Sequence, residues 1–199
     1  MSHAEADRTF PGMDEAELWR RVAGDGDDRA LSALYEWHVD RVFRHAARLA
    51  ADRRDAEDAT AVAFFELWRR RDAVRVVDGS PLPWLLATTT NALRNLQRSA
   101  ARYRRLLDTL PRSDDAASAE DDAFSDESAR ALLAPLGAID RQLITLVHLE
   151  GYRADEAAVA LGLSAAAARA RLSRARAKLR VRAASVAEPS AAEAEEDSA

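Results

Sequence analysis

Residues 155–180 read DEAAVALGLSAAAARARLSRARAKLR, and this stretch decides the fold of the C-terminal part of the chain. A short apolar segment ends at Gly162, which can adopt the left-handed backbone conformation that a tight turn between helices requires. Ser164 is a favourable N-cap for a second helix. The small Ala158, four residues before Gly162, allows the two helices to pack closely. The pattern predicts a helix-turn-helix, whose second helix enters the major groove of DNA.

The basic residues of this second helix avoid its apolar side. At 100° per residue, four apolar residues fall within about 60° of one another, namely Ala168, Leu172, Ala175 and Leu179. The flanks of this stripe carry Arg169, Ser173, Arg176 and Arg180 on one side, and Arg171, Arg174, Lys178 and Arg182 on the other. Such segregation indicates an amphipathic helix but not what it contacts; in a helix-turn-helix, these bases can contact phosphates or guanine edges. A basic helix that merely faces solvent is the alternative interpretation.

A second basic helix is predicted over residues 88–105, TTTNALRNLQRSAARYRR, which contain five arginines and no acidic residue. One face carries Asn91, Arg94, Arg98, Arg102 and Arg105, and the opposite face carries Leu93, Leu96, Ala100 and Tyr103. Helices that only face solvent usually mix both signs of charge. Two faces of one sign, in separate segments, favour a common polyanionic partner such as nucleic acid.

The net charge of −5 hides an uneven distribution. Residues 113–127 hold seven acidic residues and no basic one, and residues 183–199 hold five and none. Without these segments, 29 basic residues face 22 acidic ones, so the remainder is basic. The chain has no cysteine, which excludes disulfides and thiolate zinc sites. Its four histidines are dispersed, and we expect no metal site and no cofactor.

Helical periodicity, with no alternating pattern, predicts an all-α fold of two small helical domains joined by a flexible acidic linker. The expected divisions are a flexible N-terminus (1–13), a helical bundle (14–107), the linker (108–128), a helix-turn-helix domain (129–183) and a disordered acidic tail (184–199). No run of about 18 apolar residues is present, so we expect no membrane insertion. The polar N-terminus is unlike a signal peptide, which favours a cytoplasmic location.

Several motifs resemble the extracytoplasmic-function group of bacterial sigma-70 factors. LEGYRADEAAVALGLSAAAARARLSRARAKLR resembles sigma domain 4, while RDAEDATAVAFFELWRR and PWLLATTTNALRNLQRS resemble sigma domain 2. The resemblance covers roughly residues 28–181 in the expected order. It implies a non-enzymatic subunit that binds core RNA polymerase and directs promoter recognition, DNA melting and transcription initiation. It also implies an anti-sigma factor as a partner.

The resemblance also implies a role for individual residues. The polymerase clamp helices would contact Asp55, Glu57, Asp58, Phe64, Phe65 and Trp68. The minus-ten element would contact Asp78, Gly79, Ser80, Asn91, Arg94, Asn95, Arg98 and Arg102. Domain 4 would sit on the polymerase flap and read the minus-thirty-five element with Arg169, Arg171, Ser173, Arg174, Arg176 and Lys178.

The chain departs from the family pattern at two positions of the clamp-binding helix. Ala59 and Ala61 stand where the family commonly carries leucine and glutamine, and that glutamine tends to face polymerase. Two alternatives to the sigma interpretation remain at this point: a helix-turn-helix regulator that does not engage polymerase, and a helical protein whose basic faces bind acidic partners. The helix at residues 55–68 favours the sigma interpretation, because a simple repressor has no use for it.

Overall fold

The computed structural model describes residues 14–107 and 127–187, and these residues form eight α-helices and two short helical turns, with no strand. The first region consists of α1 (Glu15–Asp25), α2 (Asp28–Leu49), α3 (Arg53–Arg69) and α4 (Leu82–Leu107). The second region consists of α5 (Glu127–Leu133), α6 (Ala138–Ile144), α7 (Ala154–Leu161) and α8 (Ala165–Ala187). A 3₁₀ turn (Arg71–Ala73) follows α3, and a π-helical turn (Thr145–Leu149) follows α6. The prediction of an all-α fold is confirmed.

An aspartate caps the N-terminus of each of the first three helices. Asp14 accepts a hydrogen bond from the Glu17 N–H at 2.7 Å, and Asp27 accepts from the N–H groups of Arg29 and Ala30 at 2.9 and 3.1 Å. Asp52 caps α3 in the same way. These bonds satisfy amides that have no partner within the helix, and each cap contributes about 1 kcal/mol to helix stability.

The core of the first region lies where α2, α3 and α4 pack against one another. Leu34, Leu67 and Leu85 have no solvent-exposed surface, and buried alanines such as Ala46 and Ala63 let the helices approach closely. Helix α4 also packs against α6, the π-helical turn and α7 of the second region. The two regions are therefore in direct contact.

The observed elements differ from the predicted ones at several boundaries. Helix α5 begins at Glu127, inside the predicted linker (108–128), and α8 continues through residues 184–187 of the predicted tail because the alanine-rich sequence there still favours helix. The predicted helix at residues 143–149 is instead the end of α6 followed by the π-helical turn. The predicted N-terminus (1–13), most of the linker and residues 188–199 lie outside the described residues.

One predicted apolar face is wrong at its C-terminal end. Ala100 and Tyr103 were expected opposite the basic face of α4, yet both are exposed, Tyr103 at 63%. Helix α4 has 26 residues and spans about 39 Å, whereas its main partner α3 has 17 residues and spans about 26 Å. The last turns of α4 therefore extend beyond the partner that would cover them.

Within residues 14–107 and 127–187, no helix combines the length and the apolar character needed to span a bilayer.

Candidate nucleic-acid and polymerase interfaces

The C-terminal helix-turn-helix has the local geometry that its sequence predicts. Gly162 ends α7 with φ 66°, and the N–H of Leu163 donates to the Ala158 carbonyl at 2.8 Å. The Ser164 hydroxyl accepts from the Ala167 N–H at 3.1 Å and so caps α8. Ala158 is buried in the packing between helices. The glycine is required because the left-handed conformation is strained for other residues.

The apolar stripe of α8 faces the protein and its bases face outward. Ala168, Leu172 and Ala175 are buried, and Leu179 is half-buried. Most residues predicted to contact the minus-thirty-five element are exposed, namely Arg169, Ser173, Arg174, Arg176 and Lys178. These side chains lie on both flanks of the apolar stripe, so both flanks of α8 offer positive charge of the kind that binds a phosphate backbone.

Two bases of α8 have partners within the second region. Arg171 is half-buried and donates to the carboxylate of Asp140 on α6 at 2.9 Å. Arg176 donates to Nε2 of His148 at 3.1 Å. Burial, and then the charge of Arg176, hold the pKa of His148 below its usual value, so the neutral ring is favoured as the acceptor.

The loop before α4 is a tight turn. Val77 and Ser80 exchange two backbone hydrogen bonds, at 2.9 and 3.0 Å, around Asp78 (φ 52°) and Gly79 (φ 80°). Two consecutive positive φ values are typical of a type I′ turn, which favours Asp-Gly. An added Cβ on Gly79 would lie only 2.6 Å from the Cβ of Ala16 on α1, so a side chain has no room there.

Helix α4 continues directly from this turn and carries the rest of the predicted minus-ten residues. The Ser80 hydroxyl accepts from the Leu82 N–H at 3.1 Å, which fixes the turn to the helix start. Four of these predicted residues are half-buried, namely Gly79, Ser80, Asn91 and Arg94, and four are exposed, namely Asp78, Asn95, Arg98 and Arg102. The middle of α4 packs against the second region, which contacts the Ala87 carbonyl and the side chains of Thr90 and Gln97.

The predicted clamp-binding residues of α3 divide into two groups. Glu57, Phe64, Phe65 and Trp68 line two adjacent surface grooves of about 500 and 450 Å³ between α2 and α3. Phe65 is 62% exposed, while Phe64 is buried and meets the Tyr35 ring edge-on at 4.8 Å, so it forms the floor shared by both grooves. The arginine of the following 3₁₀ turn, Arg71, stacks over Trp68 at 4.7 Å.

The acidic residues at the start of α3 lie apart from the aromatic ones. Asp55 is half-buried and Asp58 is exposed. Burial, and then the charges of Asp52 and Asp58, raise the pKa of Asp55. An approaching cation would stabilise the charged form of this carboxyl group. An acidic surface of this kind is complementary to a basic one.

The two alanines that depart from the family pattern occupy different environments. Ala59 is fully buried, so it affects only the packing of the bundle. Ala61 is exposed and lines the second groove beside Glu57. The missing glutamine side chain therefore widens the groove rather than opening a cavity in the core.

Sequence reasoning missed the residues that join the two regions. Glu150, which follows the π-helical turn, contacts Arg41 and His45 of α2. These residues are more than 100 positions apart, and helical periodicity carries no information about such a pair. The one signal in the sequence was the position of Glu150, an acidic residue that directly follows the largely apolar residues 143–149.

Comparisons with known proteins agree with this division into two regions. A family model described as Sigma-70 region 2 matches residues 34–103, and one described as Sigma-70, region 4 matches residues 126–179. The chain is 30% identical over 148 residues to the ECF RNA polymerase sigma factor SigE of Mycolicibacterium smegmatis, covering 69% of this chain and 56% of that protein. It is 26% identical over 148 residues to the ECF RNA polymerase sigma factor SigL of Mycobacterium tuberculosis, covering 71% of this chain and 83% of SigL.

A solved structure has a similar fold. The structure of CnrH in complex with the cytosolic domain of CnrY matches with a TM-score of 0.55 and 25% identity. The match covers 86% of this chain and 99% of CnrH.

Proposed function

Because the chain belongs to the extracytoplasmic-function group of the sigma-70 family, we propose that it binds core RNA polymerase and directs it to a specific set of promoters. The observation that carries the proposal is the pairing of two basic helices, α4 and α8, with a surface groove lined by aromatic residues in one chain. A sigma factor needs all three, because it must hold two promoter elements and polymerase together. The proposal assigns the chain no catalysis of its own and a cytoplasmic site of action.

In this proposal the second region reads the minus-thirty-five element. Helix α8 would enter the major groove, with Arg169, Arg174 and Arg176 contacting phosphates or guanine edges. The exposure of these side chains supports the assignment. The opposite face of this region would sit on the polymerase flap.

The first region would read and melt the minus-ten element with the turn at Asp78 and the basic face of α4. Melting requires a base to leave the stack, which costs a few kcal/mol and is offset by contacts in a pocket and by stacking. The rigid turn supports this role, since a pre-organised loop loses little entropy on binding. Arg98 and Arg102, which are exposed one turn apart, would hold the backbone of the separated strand.

The groove formed by Phe65 and Trp68 would take the clamp helices of polymerase. A large exposed aromatic beside a half-buried one is a typical binding hot spot. A regulator that only binds DNA would have no use for this groove. The presence of the groove therefore favours a sigma factor over a regulator that does not engage polymerase.

We also propose an anti-sigma factor as a partner. The support is that CnrH, whose fold this chain shares, was solved with the cytosolic domain of CnrY bound. A partner of this kind would cover surfaces that otherwise bind polymerase or DNA.

The experiment that tests the function is reconstitution of the full chain with bacterial core polymerase and a library of promoter sequences. We expect the chain to co-purify with core and to support initiation at a subset of the library with a shared sequence motif. A chain that binds DNA equally well with and without core, and never supports initiation, is the regulator instead.

A further inference from the structure

The outward side of α8 is built of small side chains. Ala166, Ala170, Ser173 and Ala177 recur at a spacing of three or four residues, and all four are exposed. At 100° per residue they fall within about 60° of one another, and their centre lies about 160° from the centre of the buried apolar stripe. These four residues, the alanine face, therefore point directly away from the body of the second region.

Long cationic side chains stand on both sides of the alanine face. Arg169 and Arg174 lie about 70° to either side of its centre, and both are exposed. Among the residues that the structure describes, neither forms an ion pair. Arg171 differs from them, because its guanidinium is turned back to the carboxylate of Asp140 at 2.9 Å. Arg169 and Arg174 are therefore the arginines beside this face that are available to an external anion.

The small side chains of the alanine face suit the dimensions of the major groove of DNA. This groove is about 12 Å wide and about 8.5 Å deep, while a helix with ordinary side chains is about 10–12 Å in diameter. Long side chains on the outward face would hold the helix away from the bases, whereas alanine and serine let it lie deeper. The flanking arginines then face the two walls of the groove, where the phosphates of each strand lie.

The chemistry of the alanine face limits which base edges it can recognise. The N-terminal residues of a recognition helix contact the bases, and in α8 the outward ones are Ala166 and Ala170. A methyl group forms no hydrogen bond, and its match in the major groove is the C5 methyl of thymine. The hydroxyl of Ser164 at the helix start already accepts from the Ala167 N–H at 3.1 Å. Methyl contact is therefore the direct readout that Ala166 and Ala170 offer.

We propose that α8 selects its promoters through methyl contacts, in which Ala166 and Ala170 pack against thymine methyl groups while Arg169 and Arg174 bind the phosphates of the two strands. The inference rests on the proposed function and deepens it, because it states which chemical groups of the minus-thirty-five element are recognised. Sequence preference then comes from thymines at fixed positions on either strand. The flanking arginines supply affinity without base preference, because phosphates are the same in every sequence.

The test removes single methyl groups from the DNA. The full chain is assembled with core polymerase, and its preferred promoter is selected from the library described above. Each thymine of the minus-thirty-five element, on either strand, is then replaced by deoxyuridine, which lacks only the C5 methyl and keeps every hydrogen-bonding group. Burial of one methyl group corresponds to about a fourfold change in affinity, so we expect a fourfold loss at each contacted thymine in competition binding assays.

The matching change in the protein is Ala170→Gly, which removes the partner methyl group. We expect it to weaken binding about fourfold and to abolish the effect of deoxyuridine at one thymine, because both changes remove the same contact. The control is Ala177→Gly, which removes a methyl group from the same exposed face at the same cost in helix propensity. Ala177 lies two turns further along α8, away from the bases, so this variant should keep the full sensitivity to deoxyuridine.

The flanking arginines are tested by sequence preference instead of affinity alone. Arg169→Ala and Arg174→Ala should weaken binding to the thymine and deoxyuridine promoters by the same factor. A repeated library selection with each variant should return the same minus-thirty-five motif as the native chain, because a lost phosphate contact weakens binding about equally for all sequences. An arginine that reads guanine would instead give a relaxed preference at one guanine of the motif.

Binding that is insensitive to deoxyuridine at every thymine overturns the inference, as does a selected minus-thirty-five element made only of G·C pairs. Equal sensitivity to deoxyuridine in Ala170→Gly and in the native chain also overturns it, and so does a relaxed guanine preference in Arg169→Ala or Arg174→Ala. These results all require a native chain that binds a promoter together with core polymerase. A native chain that supports no initiation contradicts the proposed function, and with it this inference, before any variant is compared, so the two failures are distinguishable.

Discussion

The guanidinium of Arg171 lies 2.9 Å from the carboxylate of Asp140, so an arginine predicted to read DNA also holds α8 against α6. Because this pair is partly exposed, we expect Arg171→Ala to lower the free energy of unfolding by about 0.5–1 kcal/mol. The exposed Arg169, two residues earlier, has no such role in our proposal. Arg169→Ala should weaken DNA binding while changing stability by less than about 0.5 kcal/mol.

Urea unfolding and DNA-binding titrations of both variants check this difference. Equal losses of stability would mean that the Arg171–Asp140 pair contributes nothing to the packing of α8.

A second prediction concerns the glycine of the minus-ten turn. Gly79→Ala places a methyl group 2.6 Å from the Cβ of Ala16 and forces alanine to φ 80°. We expect it to lower the free energy of unfolding by about 1–3 kcal/mol, measured by urea unfolding.

The matched control is Gly24→Ala. This glycine lies within α1, and an added Cβ there meets no atom within 4 Å. Alanine favours helix over glycine, so we expect a gain of about 0.5–1 kcal/mol. A loss at Gly24 as large as that at Gly79 would contradict the steric explanation.

Local sequence signals predicted the elements that depend on nearby residues. Gly162 and Ser164 identified the helix-turn-helix because the left-handed turn and the N-cap involve neighbours in the chain. The Asp78–Gly79 turn likewise depends on neighbouring residues, since Asp-Gly favours a type I′ turn. The contact between Glu150 and Arg41 was not predicted, because these residues are 109 positions apart and their pairing depends on how the regions pack together.

The sequence predicted which helices carry the candidate sites, but it predicted less well which side chains on these helices are exposed. Phe64 and Phe65 are adjacent in sequence and equally apolar, yet one forms the floor of the groove and the other is exposed. Their exposure depends on Tyr35 of α2, and the helix-to-helix packing that places this ring is a tertiary feature. The prediction that Tyr103 lies on a buried face was wrong for a related reason. Whether the end of α4 is covered depends on the length of its partner helix α3.

The groove gives a third prediction. Phe65→Ala should weaken binding to core polymerase at least about tenfold, because exposed aromatics at the centre of an interface dominate its affinity. Tyr103→Ala is the matched control, since Tyr103 is an aromatic of almost identical exposure (63% against 62%) on α4. Fluorescence titration with core polymerase measures both, and an equal effect of the two variants would move the interface away from α3.

A fourth prediction concerns the pH dependence of stability that arises from the carboxyl group of Glu150. Burial alone would raise the pKa of this carboxyl, but the hydrogen bonds and charges of His45 and Arg41 outweigh it and lower the pKa from 4.5 to about 2. A group with a lowered pKa stabilises the folded protein above its unfolded value, and this contribution is lost as the pH falls from 4.5 towards 2.

Other carboxyls titrate over the same range, so the informative quantity is the difference between the native chain and Glu150→Gln. We expect the free energy of unfolding of the native chain to exceed that of the variant near neutral pH, and the gap to close below pH 4.5. If the difference in the free energy of unfolding between the two proteins stays constant from neutral to acidic pH, the carboxylate of Glu150 has no stabilising role.

The last prediction concerns the basic face of α4. Arg98 is exposed and, in our proposal, contacts one phosphate of the minus-ten strand. Each phosphate contact releases a condensed counterion, so Arg98→Ala should reduce the slope of log K against log salt by about 0.7 on single-stranded DNA. Arg29→Ala removes the same charge from an exposed position on α2, and should leave the slope unchanged. Titrations of both variants at several salt concentrations, with the holoenzyme and a minus-ten strand, separate a local contact from the effect of net charge. An equal change in slope for both would mean that α4 attracts DNA only through the overall field of the protein.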